Sequence, residues 1–364
     1  MATTVTVLIA EITNIRPHPG ADKLELCDVN GWQLVIGKGK YTDRSKIVYI
    51  TIDSLIPKVW SDLWGVTNYL KGANKDRVGQ VKLRGEPSFG LAVDIPEELT
   101  LMGRAQIGEN VADFFGITKY EPPVKMRSSS GDADSPNPLI QKYTDIDNLR
   151  NYPKVFNDGE EVIATEKCHG TNCKLGYIDG TEVASSMAIP RKRPFIKVDD
   201  TIIPCELTSP EVRNSTYWFP WSIESVRTML KDLYEQTKAK QILLYGEVFG
   251  GSIQKGHSYG HPTDIAFMAF DLLVDGRYYN YDDFHSICSK YGVPMCPVLY
   301  RGPYSIEAIK LVSGGKSTLD NTTVREGVVV QPVIERPHPK VGRLKMKYVS
   351  DDYLFGVQDD ATDA

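Results

Sequence analysis

The residues of this chain best suited to chemistry are one lysine and the groups spaced downstream of it. Lys167 stands in Glu166-Lys167-Cys168-His169-Gly170-Thr171-Asn172, a Lys-x-His-Gly turn set between two strand-like runs. An amine is a nucleophile only after it sheds its proton, and the free lysine pKa of about 10.4 keeps it charged near neutrality unless positive charge lies close by. Two sources of that charge are available: a divalent metal, and the pair Lys345 and Lys347 of Lys345-Met346-Lys347, which as i and i+2 on a strand project to one face. The same two ammonium groups suit a phosphate, and can offset charge on a pentavalent transition state while the metal serves the leaving group.

Carboxylates follow in order. Glu247 in Tyr245-Gly246-Glu247-Val248-Phe249-Gly250 and Glu326 in Glu326-Gly327-Val328-Val329-Val330 adjoin strand-like runs, whose fixed backbone can aim them at ribose hydroxyls or at the hydration shell of a metal. Phe270, within Phe267-Met268-Ala269-Phe270-Asp271, offers a flat apolar surface to a base, and strand alternation places Asp271 on the opposite face. Phe267 is read as core. Gly170 is expected where backbone bends sharply close to a phosphate. Read singly, such residues are usually solvated or structural; their ordered succession is what points to chemistry.

A strand-rich scaffold has to position these groups. Beyond residue 140, strand-like runs at Val162 to Thr165, Lys174 to Tyr177, Ile242 to Tyr245, Ile265 to Leu273, Gly327 to Val330 and Leu344 to Lys347 alternate with helical stretches. The clearest helix is expected to start at Ser222 as N-cap and to present Ile223, Val226, Leu230, Leu233 and Tyr234 on one face; Tyr281 to Tyr291 and Ser305 to Val312 also read as helical. Upstream, short runs at Thr6 to Ile12, Leu24 to Val29, Trp32 to Ile36, Ile47 to Ile52, Val81 to Leu83 and Leu91 to Ile95 are punctuated by Pro17-His18-Pro19-Gly20 and Asn30-Gly31. About five strands in so short a span suggest a small barrel of the oligonucleotide-binding type. The stretch from His18 to Val29 also looks like the opening of the tRNA-binding barrel appended to some synthetases, a likeness of fold only. Met126 to Pro138 has almost no apolar content, so a linker or mobile loop is expected over 125–140. The fold class is therefore α+β: an OB-like β-barrel over 1–124, the linker, a strand-rich catalytic domain over 141–358, and an acidic solvated tail over 359–364.

With 364 residues, 41% hydrophobic and 24% charged, the chain has room for two domains. A net charge of -5 argues against a general nucleic-acid coat but leaves room for a local basic groove. Arg191-Lys192-Arg193 with Lys197, interleaved by Pro194 and Phe195, is the candidate strand contact. The six cysteines lack Cys-x-x-Cys or zinc-like spacing and are read as free thiols in a reducing compartment. His257 and His261 have i, i+4 spacing, but the glycines between and beside them favour a solvated loop over a metal-binding helix. No leader and no run long enough to span a membrane is evident, so a cytoplasmic monomer is expected.

The ordered motifs resemble those of the covalent nucleotidyltransferases, the ATP-dependent polynucleotide ligases and capping enzymes, in which the motif lysine becomes adenylated. His169, where DNA ligases and capping enzymes have aspartate, leans toward RNA ligases, and the whole chain looks most like RNA ligases of the Deinococcus and Naegleria type, with an N-terminal OB domain and an end soon after Lys345-Met346-Lys347. The resemblance implies ATP and Mg2+ or Mn2+ as cofactors, Lys167 as nucleophile, and His169 near the reacting phosphate. It further implies Glu247 on ribose, Phe270 on adenine, Glu326 on metal with Glu247 as a second candidate, and Lys345 with Lys347 on phosphate. Glu166, Gly170 and Asn172 flank the nucleotide in the same motif. Sealing of 3′-OH/5′-phosphate nicks in duplexes with RNA on the 3′-OH side is the implied activity, with a nicked RNA-containing duplex as partner. One departure stands out: family members carry an arginine in a Ser-Ser-Arg motif where this chain reads Ser185-Ser186-Met187, so either the site is substituted there or the role passes to Arg191 or Arg193. The competing expectations are a DNA ligase or guanylyltransferase on the same core, or a non-catalytic RNA-binding protein with a decayed ligase core.

Overall fold

The structure is a computed structural model that describes residues 5–121, 131–199 and 201–356. The chain divides into two compact units, Met1–Pro123 with Leu149–Pro153, and Val124–Asn148 with Lys154–Ala364.

In the first unit, period-two alternation puts Val7, Ile9, Val48, Ile50 and Val93 on one buried side, where they pack with Leu99 and Phe115. Strand Lys46–Ile50 pairs antiparallel with Val7–Glu11 on one edge and Leu91–Val93 on the other. A second antiparallel sheet runs Thr13–Pro17, Leu24–Val29, Trp32–Gly37. Its last turn is Asn30-Gly31, both at positive φ (51° and 80°), the conformation that two-residue hairpins demand. Leu149–Pro153 returns to this unit, where the Trp32 indole N–H donates to Asn151 Oδ1 at 2.9 Å; nothing local in the sequence marks that return.

The second unit carries two large sheets besides two two-stranded ribbons, Phe195–Val198 with Thr201–Pro204 and Pro337–His338 with Gly342–Arg343. One has six strands, all antiparallel, in the order Pro190–Arg191, Thr181–Ser185, Thr171–Ile178, Gln241–Phe249, Ala266–Val274, Arg277–Tyr278. The other has five, in the order Asp147–Asn148, Met346–Val349, Gly327–Pro332, Glu161–Glu166, Val298–Pro303. Helix Glu224–Thr237 buries Val226, Met229, Leu230 and Leu233 against the first sheet's Leu175, Leu244 and Leu272. It starts later than expected: Ser222 closes the 3-10 turn Phe219–Ser222, its hydroxyl donating to the Phe219 carbonyl at 2.7 Å, and so caps nothing. Helices Tyr281–Tyr291 and Ile306–Ser313 lie where periodicity places them, the second capped by Ser305 Oγ, which accepts from the Ala308 N–H.

Two expectations need correction. Of the linker over 125–140, residues 125–130 lie outside the described residues, as does the acidic tail; 131–140 is tied to the second unit. There Asp132 pairs with Arg191 at 2.9 Å, and the Asp134 N–H donates to the Pro190 carbonyl. Contacts of this kind to distant residues are not visible in composition. Second, Phe270 and Asp271 do not face opposite ways. The pairing of Gln241–Phe249 with Ala266–Val274 slips from Tyr245↔Asp271 to Gly246↔Ala269, so Phe270 is an extra, bulged residue. Both side chains then meet Tyr143: the Phe270 ring lies 5.1 Å from it, and Asp271 Oδ2 accepts its hydroxyl at 2.7 Å.

Candidate active site

Lys167 leaves the end of strand Glu161–Glu166. That strand pairs with Gly327–Pro332 through Glu166↔Val328, and the Lys167 N–H donates to the Gly327 carbonyl at 3.0 Å, so Lys167 and Glu326 emerge side by side. Gly327 is required there: its φ is +151°, and a Cβ would lie 2.1 Å from the Tyr348 carbonyl oxygen. Gly170 is required by its protein neighbours: a Cβ would stand 2.3 Å from the Val248 carbonyl oxygen, so the adjacent strand's backbone excludes a side chain.

Glu326 is the hub. Its Oε1 lies 2.7 Å from Lys167 Nζ and its Oε2 3.1 Å from His169 Nδ1. Burial works against its charge, but Lys167 and His169 outweigh that and bring the carboxyl down to about 2. Burial likewise opposes the Lys167 charge, yet Glu326, aided by Glu247, holds its pKa above the ordinary lysine value. The amine is therefore an ammonium, and its nearest charge is negative rather than the positive charge a nucleophile requires. Glu247 faces Asn172 across the strand pair. Burial pushes its carboxyl up to about 8 against the pull of Lys167, with Glu326 adding to the rise. Asn172 Oδ1 is buried with no hydrogen-bond partner among the described residues.

Lys345 immediately precedes strand Met346–Val349, its N–H closing a tight turn on the Arg343 carbonyl. Its buried amine is 2.8 Å from Asp271 Oδ2 and 3.0 Å from the Tyr143 hydroxyl, with Arg343 on the same carboxylate oxygen at 2.6 Å. Burial drives the Lys345 pKa down, Asp271 notwithstanding. Lys347 is half-buried in the strand, between Val329 and Asn148.

Glu166 serves the protein: Oε2 accepts the Thr318 N–H at 3.0 Å and its hydroxyl at 2.6 Å, with Arg325 Nε at 3.7 Å, while Oε1 is buried without a hydrogen bond. The two arginines proposed for nucleic acid turn inward. Arg191 pairs with Asp132 and lies over the Tyr217 ring; Arg193 donates to the Cys205 carbonyl at 2.9 Å and to Glu182. Partly exposed carboxylates pair with both half-buried guanidinium groups, and Lys192 is the exposed cation of that triplet. Met187 is 37% exposed, and its carbonyl, with that of Gln141, accepts from the buried amine of Lys174.

Three residues escaped sequence reasoning. His257 is half-buried rather than solvated and stacks on His169, ring centroids 4.7 Å apart. The Tyr259 hydroxyl accepts the His169 N–H at 3.0 Å, and the Tyr353 ring lies 5.8 Å from His257. The local signal for His257 and Tyr259 is the Gly256-His257-Ser258-Tyr259-Gly260-His261 run, whose partners, Tyr353 among them, lie far off in the chain.

Lys167, His169 and Glu326 thus meet at the paired ends of two strands of one sheet, with Glu247 of the other sheet close enough to act on Lys167. A family model described as RNA ligase matches residues 160–349, and an OB-fold domain model matches residues 6–95. This chain belongs to the RNA ligase family. Among solved structures, an apo mutant of Naegleria gruberi RNA ligase is similar at 23% identity and TM-score 0.68, covering 97% of this chain and 98% of that one. A mutant of the same ligase with ATP and Mn is similar at 23% identity and TM-score 0.65, with the same coverage. These likenesses are of fold. Phenylalanine--tRNA ligase beta subunit of Rickettsia conorii is 30% identical over 139 residues, 34% of this chain and 15% of that protein; that of Psychrobacter arcticus is 24% identical over 166 residues, 44% and 20%. The match thus spans a small part of those curated relatives. Among the described residues no helix is long and apolar enough to cross a membrane.

Proposed function

We propose that this protein is an ATP- and divalent-metal-dependent RNA ligase that seals 3′-OH/5′-phosphate nicks in duplexes with RNA on the 3′-OH side. The observation that carries the reading is the placement of Lys167, accessible through a quarter of its side-chain surface, against Glu326 and within the field of Glu247. The Lys167 nitrogen attacks the α-phosphorus of ATP; a P–N bond forms, the bond to the pyrophosphate oxygen breaks, and the amine proton leaves. The AMP then passes to the RNA 5′-phosphate, freeing the lysine, and the 3′-OH displaces AMP to form the phosphodiester.

Before the first step the ammonium must leave its ion pair with Glu326. Two carboxylates beside one lysine form a donor set that fits a hard cation completed by phosphate oxygens and water, and among the described residues no cluster of three or more acidic, His or Cys ligands stands ready without them. Bound at Glu326 or Glu247, such a cation supplies charge that favours the neutral amine. Asn172, with its unpartnered buried oxygen, and Glu247 are the groups for ribose; Phe270 is the surface for adenine; His169 lies beside the reacting phosphate. Lys345 and Lys347 are assigned to phosphate, which requires Lys345 to exchange Asp271 for the nucleotide. The Naegleria gruberi ligase has been solved with ATP and Mn, with AMP and Mn, and with PPi, which supports the same cofactors here.

Incubation with labelled ATP and Mg2+ or Mn2+ tests the reading. It expects AMP on the protein in a linkage stable to alkali and labile to acid, as a P–N bond is, and its loss in Lys167→Ala; a variant that still takes up label overturns it. Comparing ATP with GTP, and then ribose-ended with deoxyribose-ended nicks, separates an RNA ligase from a DNA ligase or a guanylyltransferase.

A further inference from the structure

We propose that His257 is a positioning residue of the lysine site, fixing the ring plane of His169 so that its Nδ1 meets Glu326. Among the described residues the Nδ1 contact to Glu326 at 3.1 Å is the close polar contact of the His169 ring, with the Tyr353 hydroxyl on the same nitrogen at 3.5 Å. One contact of that kind does not set a histidine ring, because rotation about its terminal torsion is soft. What restrains it is packing. His257 lies against it at 4.7 Å and 30°, while Tyr353 borders both rings, 5.8 Å from His257 and 6.2 Å from His169.

His257 is itself held in place. Its loop is pinned where the Gly251 N–H donates to the His261 carbonyl at 2.8 Å, and its own N–H points to the Gln254 carbonyl at 3.3 Å. The His257 Nδ1 is buried and has no hydrogen-bond partner among the described residues, so its ring face is what it presents to His169. Burial, and then the neighbouring His169, lower the His257 pKa. A neutral ring can stack there without setting two positive charges face to face. The Glu326 carboxylate that receives His169 is also the one that holds Lys167, so the orientation of one imidazole bears on the partner of the nucleophile.

The kinetic arm of the test rests on the ligase reading; the structural arm does not. His257→Ala should slow AMP transfer to Lys167 about tenfold with KM for ATP within about twofold, and His257→Phe, which keeps a stacking ring, should restore most of the rate. In a His169→Ala background the same His257→Ala change should cost less than about twofold, because its partner is gone. Equal losses in the Ala and Phe variants, or losses that multiply with His169→Ala, overturn the proposal. A crystal structure of His257→Ala decides it independently: His169 Nδ1 should sit beyond about 3.5 Å from Glu326, and retention of the contact overturns the idea. Should the wild-type protein take up no AMP, the ligase reading fails while this structural result still stands.

Discussion

Lys167 Nζ and Glu326 Oε1 are 2.7 Å apart, and that contact keeps the candidate nucleophile charged. Its consequence is a sign. Glu326 raises the Lys167 pKa, so the free protein holds less neutral amine than an exposed lysine would at the same pH. A cation held by Glu326 would reverse that influence and so would favour the neutral amine.

Replacing Glu326 by Gln removes the negative partner while keeping the shape. Reaction of Lys167 with an amine-directed reagent without ATP should then speed up at fixed pH, because a larger share of the amine is neutral once its negative partner is gone. AMP transfer should fall in the same variant. Peptide mass spectrometry reads the first and label uptake the second; parallel loss of both would show that Glu326 does not govern the protonation of Lys167.

Glu247 and Glu326 should contribute to stability with opposite pH dependence. The Glu247 carboxyl is raised from 4.5 to about 8 by burial, so the folded protein binds its proton more tightly than the unfolded chain; that stability is present below 4.5 and is lost as pH rises through about 8. Glu326, lowered to about 2, contributes above 4.5 and loses that contribution as pH falls through about 2. Glu247→Gln should therefore flatten the fall in Tm between pH 6 and pH 9 by a few degrees. Thermal melts across that range check it, and an unchanged slope excludes a buried protonated Glu247.

Asp271→Asn leaves the buried Lys345 and Arg343 cations without their shared carboxylate, although Arg343 keeps Glu335. Breaking one side of a buried ion pair costs about 3–5 kcal/mol. Urea unfolding should show a loss of that order, whereas Tyr143→Phe, deleting one neutral hydroxyl from the same group, should cost about 1 kcal/mol.

Gly170→Ala sets a Cβ against the Val248 carbonyl oxygen and 3.0 Å from Phe249 Cβ. The turn must shift away from strand Gln241–Phe249, at about 1–3 kcal/mol, carrying Lys167 and His169 with it. Loss of AMP uptake in a protein that still melts cooperatively is the expected outcome.

Several features were legible before any coordinates. Alternating apolar residues located the strands, and the Asn30-Gly31 hairpin and the helix at Tyr281 to Tyr291 followed from local chemistry that depends on neighbours a few positions away. The misreadings share one cause. Ser222 has the right side chain for a cap, but its hydroxyl was already committed to the preceding turn. Strand alternation assigned Phe270 and Asp271 to opposite faces, and a bulge set by the partner strand brought both to Tyr143. Arg191 and Arg193 look like free cations in a basic run, yet Asp132, Glu182 and the Cys205 carbonyl claim them.

Residue type and order alone determined that this chain is an α+β protein with a barrel-like first half, and that Lys167, Glu247, Phe270, Glu326 and the Lys345-Met346-Lys347 run form an ordered set. Only the tertiary structure decided that Lys167 pairs with Glu326, that Lys345 is held by Asp271 and Tyr143, and that His257 stands against His169. The physical reason is that charge and protonation depend on distance and burial, which are set by strands brought together from distant parts of the chain, whereas a local pattern fixes only the direction in which a side chain leaves its own strand.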